Sequence, residues 1–289
     1  MVLGYNQCMA EGRLLLVGTP IGNLEDVTLR ALRALREADL IAAEDTRRAR
    51  KLLSHYDIHT LLTSYHGHNE REKAEALASE VAAGRKVALV SDAGMPGVSD
   101  PGFRVVEECA RRGLAMEVIP GPSALTGSLA LSGLPLPRFR YEGFLPSRRG
   151  ERRTRLLYLL KEGEALAFYE APHRMLETLR DLAEFAPDRQ LVVAREMTKV
   201  HEEVLRGRAE EVLASFGESR PRGEFVVIVA PGEETEAPPL PQLAGEVAAL
   251  CGEGLPTREA VRAVAQKHGV SQREVYSAWL EKKVAGAEE

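Results

Sequence analysis

The stretch Ser91-Asp92-Ala93-Gly94-Met95-Pro96-Gly97-Val98-Ser99-Asp100-Pro101-Gly102 carries the richest chemistry of the chain. It holds two carboxylates and two hydroxyls among glycines and prolines, and it follows the apolar run Val87–Val90. Such a run reads as a buried strand, and ligands of open α/β sheets bind outside the carboxyl ends of strands. Glycine lets backbone approach a ligand, and proline holds a loop in one shape. Two more loops end strand-like runs in the same way: Gly18–Leu24 and Pro120–Ala124. In a parallel sheet all three lie along one edge and line one pocket. None has the glycine spacing of a phosphate loop or of a dinucleotide fingerprint, which argues against ATPases and dehydrogenases. Backbone amides and carbonyls with a few acids suit a cationic or zwitterionic ligand.

Two further clusters stand out. Arg148, Arg149, Arg152, Arg153 and Arg155 form a basic segment opposed only by Glu151. Guanidinium pairs bidentately with phosphate, so this segment is expected to be an RNA-facing lip rather than a solvated helix face. His66-Gly67-His68-Asn69-Glu70 has the look of a metal cluster, but no companion cysteine or acid cluster fits, and Asn69 suits a helix N-cap. No metal is expected.

The elements that must position these loops alternate between strand and helix. Strands are expected at Leu14–Val17, Leu40–Ala43, Thr60–Tyr65, Val87–Val90 and Met116–Ile119. Helices are expected after Asp26, after Arg47, over Asn69–Ala83, over Phe103–Arg112 and after Ala124, with Asp26 as an N-cap. Gly133–Pro137 reads as a seam. Beyond it come strands at Tyr141–Leu145, Leu166–Tyr169, Leu191–Arg195, Glu203–Arg206 and Phe225–Val229, with helices through Leu160 and from Pro172. The last strands are close together, so part of this second sheet is expected to be antiparallel. The expected organisation is a tail over 1–13, α/β domains over 14–132 and 138–231, and a helix-turn-helix-like segment over 242–284. Thr257 and Ser271 serve there as N-caps. That segment either grips RNA or packs on the catalytic body.

With 289 residues, 44% hydrophobic and 28% charged, the chain is an ordinary globular protein. Its net charge of −5 requires any nucleic-acid contact to come from a local basic patch. No apolar run approaches a membrane span, and Met1–Glu11 lack the pattern of a signal peptide. Cys8, Cys109 and Cys251 are scattered and odd in number, which fits a reduced, cytoplasmic protein.

Five motifs occur in order: Val17–Asp26, Ala43–Arg47, Ser91–Gly102, Pro120–Ala124 and Tyr169–Arg174. Together they resemble the tetrapyrrole-methylase superfamily, and within it the bacterial small-subunit (16S) ribosomal RNA cytidine-2′-O-methyltransferases. Met95 departs from the threonine expected there. The resemblance implies two α/β domains with S-adenosylmethionine in the cleft between them, held by Ile21, Asp92, Met95, Ser123, Ala124, Tyr169, Gly223 and Glu224. It implies that Arg47, His66 and Asn69 face the RNA, and that the protein is a homodimer acting on the small ribosomal subunit, not on DNA. Methyl transfer to a ribose hydroxyl rests on alignment and gains from a general base. Glu44, Asp45 and Asp100 are the leading candidates, with His66 and His173 behind them, and a mechanism without a dedicated base stays open. Two other functions fit the same motifs: methylation of a tetrapyrrole such as a cobalamin precursor, and a non-catalytic assembly factor that binds RNA or cofactor.

Overall fold

The computed structural model describes residues 12–67, 69–161, 163–217, 220–232, 239–268 and 270–285. It divides into two units, one ending at Gly232 and one beginning at Glu233.

The first half of the larger unit is a parallel sheet. Its strands are β1 (Arg13–Val17), β2 (Leu40–Ala43), β3 (Leu62–Ser64), β4 (Lys86–Val90) and β5 (Ala115–Ile119). Their order is β3-β2-β4-β1-β5, and every pairing is parallel. Successive side chains of a strand point to opposite faces, and a parallel sheet buries both. Leu15, Val17, Ile41, Ala43, Ala88 and Val90 pack under α1 (Leu29–Glu37) and α2 (Thr46–His55). Leu14, Ala42, Val87 and Leu89 pack under α3 (Glu70–Ala82) and α4 (Phe103–Arg111). Two local expectations change. Thr28, not Asp26, caps α1, its hydroxyl accepting the Ala31 N–H, while Asp26 ends a short 3-10 turn. Arg13 already belongs to β1, and the rest of the expected tail up to Glu11 lies outside the described residues.

The second sheet has order β6-β7-β10-β8-β9: β6 (Phe139–Phe144), β7 (Ala165–Glu170), β8 (Gln190–Arg195), β9 (Glu203–Arg208) and β10 (Phe225–Val229). Only β6 and β7 are parallel; β10 runs antiparallel to β7 and β8, and β8 to β9. The short connection between β8 and β9 requires their antiparallel pairing, since a parallel crossover needs a dozen or more residues. One face packs on α6 (Arg149–Lys161), α7 (Met175–Phe185) and α8 (Ala209–Ser215), the last of which sequence periodicity misses. Pro172 precedes α7 in a turn instead of opening the helix.

The other face of this sheet takes α5 (Ala124–Leu131), a helix that follows β5 of the first sheet. Ala124, Leu125 and Leu129 lie against Ala167, Val192, Ala194, Val226 and Ile228. Arg206 of β9 fixes the end of α5 by donating to the carbonyls of Leu131 and Ser132. Chain that enters from the first domain therefore forms part of the second domain's core.

The smaller unit is three helices, α9 (Leu240–Gly252), α10 (Thr257–His268) and α11 (Gln272–Ala285). They enclose Leu243, Val247, Ala260, Val261, Val264 and Val275. The Ser271 hydroxyl accepts the Arg273 N–H in the first turn of α11, as an N-cap does.

Candidate active site

A cleft of about 640 Å³ lies where the two sheets meet within the larger unit. One wall is the loop after β4, contributing Gly94, Met95, Val98, Ser99 and Asp100. The floor is the Pro120–Thr126 turn into α5, and the opposite wall is Phe144, Tyr169, Met197 and Gly223–Val226.

Close backbone contact builds the base of the cleft. Gly18 and Gly121 touch, and a Cβ on Gly121 would stand 2.9 Å from the Gly18 carbonyl carbon. Thr19 and Gly94 exchange backbone hydrogen bonds of 2.8 and 3.1 Å, which stitches the loop after β1 to the loop after β4. The far end of the long loop is held by Glu70. One carboxylate oxygen accepts the N–H groups of Gly102 and Arg104 and the Tyr65 hydroxyl, while that hydroxyl accepts the Val105 N–H. Glu70 thus satisfies donors at the start of α4 that no helical partner reaches. Across the cleft the Ser99 hydroxyl meets the Tyr141 hydroxyl at 2.6 Å, with Ser99 at a positive φ of 62°.

The opposite rim is held by a strap after β8. Glu196 accepts the Glu224 N–H and the Lys199 ammonium, each at 2.9 Å, and the same ammonium reaches the Glu224 carboxylate at 2.9 Å. Gly223 has φ +93°, and a Cβ there would lie 2.5 Å from the Glu196 side chain. A side chain there would be strained by that φ and would displace Glu196.

Ile21, Met95, Ser123, Ala124, Tyr169, Gly223 and Glu224 all line the cleft, so the structure brings these sequence-derived positions together. Asp92 is placed elsewhere. Its Oδ1 accepts the Asp45 N–H at 2.9 Å, and its Oδ2 stands 3.5 Å from Arg48 on α2, beside a separate hollow of about 180 Å³. It braces the turn between β2 and α2 instead of walling the cleft. Met197, Leu125 and Phe144 line the cleft without having been expected. No glycine or motif marks Met197, because its strap is shaped by non-glycine residues at positive φ, Glu196 and Thr198.

The base candidates separate by environment. Asp100 lines the cleft, and burial raises its carboxyl from an ordinary 3.8 to about 7, helped by the negative charges of Glu44, Asp92 and Glu224 and opposed by a Ser91 hydrogen bond. Glu44 is also raised, first by burial and then by Asp92. Asp45 moves the other way, to about 2, because the Arg47 side chain and N–H bind it. Asp45 is the N-cap of α2, its Oδ1 accepting the Arg47 N–H at 2.8 Å. That corrects the expectation of a base at Asp45.

Asn69 does not cap α3 with its side chain. Its Oδ1 accepts the His66 N–H at 2.8 Å and its amide lies 3.4 Å from His66 Nε2, so the pair forms one turn near Glu44. His68 lies outside the described residues.

The arginine lip is largely corrected. Arg152 is only 1% exposed and pairs with Glu177 at 2.8 Å, with Asp181 nearby at 3.8 Å. Arg153 pairs with Asp181 and Glu184, each at 2.6 Å, and stacks on Phe185. Arg155 pairs with Glu142. The cause is the acidic face of α7, where Glu177, Asp181 and Glu184 recur at helical spacing against α6. Arg148 and Arg149 alone keep their side chains on the exposed surface, and Arg148 meets Glu151 at 3.1 Å.

Comparison with known proteins agrees with this architecture. The family described as Tetrapyrrole (Corrin/Porphyrin) Methylases matches residues 13–213. A Thermotoga maritima protein named ribosomal RNA small subunit methyltransferase I is 50% identical over 220 residues, covering 76% of this chain and 98% of the relative. Its namesake in Escherichia coli O157:H7 is 42% identical over 275 residues, covering 94% and 96%. Among solved structures, diphthine synthase superposes with a TM-score of 0.61 at 18% identity, covering 75% of this chain and 90% of that one. Uroporphyrin-III-C-methyltransferase from Thermus thermophilus gives 0.52 at 24% identity, covering 75% and 94%. At those identities the shared property is the fold. The family match and the long, highly identical relatives go further: the chain belongs to the tetrapyrrole methylase family.

Proposed function

We propose that this chain is an S-adenosylmethionine-dependent methyltransferase that methylates a cytidine 2′-oxygen of 16S ribosomal RNA in the small subunit. The observation that carries the reading is the cleft, which gathers Ile21, Met95, Ser123, Ala124, Tyr169, Gly223 and Glu224 in a chain whose close relatives are named for small-subunit ribosomal RNA methylation.

The cleft's chemistry fits the cofactor. Ile21, Met95, Leu125, Phe144, Tyr169 and Val226 offer apolar surface to an adenosine. The backbone at Ala93–Met95, Gly121–Ala124 and Gly223–Phe225 supplies donors and acceptors for its polar edges. Glu224, whose carboxylate also meets the Lys199 ammonium, offers negative charge to a sulfonium or an ammonium. When bound, S-adenosylmethionine supplies an electrophilic methyl group on a cationic sulfur.

The residues then have distinct tasks. Asp100, increasingly ionised as pH rises through about 7, would accept the proton of a ribose 2′-hydroxyl presented to the methyl group that the bound cofactor would supply. Burial, and after it the negative charges of Glu44 and Asp92, keep its proton affinity high, so the carboxylate is basic enough to act near neutral pH. Glu70 and Tyr65 hold the loop that carries Asp100. The Ser99–Tyr141 hydrogen bond spans the two walls and sets the cleft's width. Arg47, His66 and Asn69 stand at the carboxyl ends of β2 and β3, beside Glu44, on the side from which RNA would enter.

A homodimer belongs to the proposal. β5 is an edge strand, and its Met116 and Val118 are 41% and 52% exposed, apolar surface that a second copy would cover. No described helix is long and apolar enough to cross a membrane, and work on ribosomal subunits would place the protein in the cytoplasm.

The test supplies tritiated S-adenosylmethionine with unmodified small subunits in one reaction and a corrin precursor in another. Label in ribosomal RNA alone supports the reading. Label in the corrin alone replaces it with tetrapyrrole methylation, and tight cofactor binding with no transfer replaces it with an assembly role.

A further inference from the structure

Three of the α6 arginines are withdrawn from RNA: Arg152, Arg153 and Arg155 are held by Glu177, Asp181, Glu184 and Glu142. Resting on the ribosomal RNA reading above, we infer that α2 is the helix that grips RNA phosphates beside the cleft.

Three observations point there. The first is its sequence. Thr46–His55 contains Arg47, Arg48, Arg50 and Lys51 and no acidic residue. Ala49, Leu52 and Leu53 turn to the core, and helical periodicity sends Arg47 and Lys51 to the opposite face with Arg48 and Arg50 on its two flanks, and all four are exposed.

The second is the charge balance on that face. Arg47 is engaged by Asp45, the cap of its own helix. Arg48 has one 3.5 Å contact with Asp92. Among the described residues Arg50 and Lys51 have no ion pair. Arg36 of α1 adds a further cation at the far end, where its guanidinium donates to the Tyr56 carbonyl. In a chain of net charge −5 this row is a strong local exception.

The third is position. α2 leaves the carboxyl end of β2, which pairs with β4, and the loop after β4 is a wall of the cleft. Asp92, two residues past the end of β4, holds the first turn of α2 through the Asp45 N–H. Phosphates lying along α2 therefore belong to nucleotides close to the one in the cleft. The cations are strung along a helix about 15 Å long instead of converging on a point. That arrangement matches a polyanionic backbone and not a single small anion. Guanidinium and ammonium groups on such a ridge position the RNA without reading its sequence.

The test uses the full chain with unmodified small subunits. It compares the wild type, Arg50→Gln with Lys51→Gln, and Arg148→Gln with Arg149→Gln. Each lost phosphate contact reduces the salt slope of binding by roughly 0.7–0.9. Two lost contacts make the ratio of wild-type to variant affinity shrink by about tenfold between 50 and 200 mM salt. The α2 variant should show that change in KM for subunits, with cofactor affinity and melting temperature held. An α2 variant with the wild-type KM and salt slope overturns the inference, as does a larger loss in the α6 variant. If the wild type itself neither binds nor methylates subunits, the ribosomal RNA reading fails first. A competent wild type matched by the α2 variant sinks only the assignment of α2.

Discussion

Replacing Asp100 by asparagine should stabilise the protein while abolishing its activity. The carboxyl of Asp100 lies in the cleft wall, and burial together with Glu44 raises its pKa from 3.8 to about 7. The folded protein therefore binds this proton more tightly than the unfolded chain does. The stability linked to that proton is fully present below about pH 4 and is lost as pH rises through about 7. At pH 8 the folded state carries an ionised, partly desolvated acid close to other acids. At about 1.4 kcal/mol for each tenfold change in proton affinity, the ceiling on this cost is roughly 4 kcal/mol. Solvent reaches part of the group, and screening brings the figure to about 1–2 kcal/mol. Asparagine has nearly the same shape, keeps a partner for the Ser91 hydroxyl and carries no charge. For a unit of this size, melting should rise by about 2–8 °C at pH 8 and change little at pH 4. Methyl transfer should fall by about 10²–10⁴-fold, the usual worth of a positioned base. The wild-type kcat/KM should climb with pH through a midpoint near 7, and the variant should lack that limb. Unchanged transfer in the variant, or lower melting at pH 8 with no change at pH 4, would refute the reasoning.

Three other outcomes follow from the geometry. Gly121→Ala drives a methyl group into the Gly18 backbone at 2.9 Å and should cost about 1–3 kcal/mol, read by denaturant unfolding, with cofactor binding lost as the floor shifts. Tyr141→Phe removes the 2.6 Å bond to Ser99 and should weaken cofactor binding by about 0.5–1.5 kcal/mol in calorimetry; unaltered affinity would mean that the bond does not set the cleft. Arg152→Gln removes a buried guanidinium that pairs with half-exposed Glu177 and should destabilise by about 1–3 kcal/mol, whereas Arg149→Gln on the exposed side of the same helix should stay within about 0.5 kcal/mol.

Much of this was legible before the structure, for identifiable reasons. The first sheet could be read because its strands are short apolar runs ended by loops, and runs such as Val87–Val90 are buried on both faces. Gly18 and Gly121 could be read as parts of loops that end strands, and the structure adds why glycine stands there, since a Cβ on either would meet the other's backbone; Gly223 came from the family resemblance alone. What escaped depended on partners distant in sequence. Asp92 sits in the most informative loop, yet its carboxylate is taken by Asp45 and Arg48, 47 and 44 positions earlier. Arg152 and Arg153 form part of a conspicuous basic run, and only the later spacing of Glu177, Asp181 and Glu184 reveals that α7 neutralises them. Glu70 reads as an ordinary first-turn acid of α3, and its hydrogen bonds to Gly102 and Arg104 appear only once the chain is folded. The seam after Ser132 marks the change of sheet, but α5 before it already packs on the second one.

The measurement that tests the central claim most directly locates the transferred methyl group. Small subunits labelled by the wild-type protein are digested to nucleosides and resolved by mass spectrometry, with Asp100→Asn in parallel. The account predicts 2′-O-methylcytidine as the single labelled nucleoside, and its loss in the variant. Label on a base carbon or nitrogen, or on the ribose of another nucleoside, would contradict it.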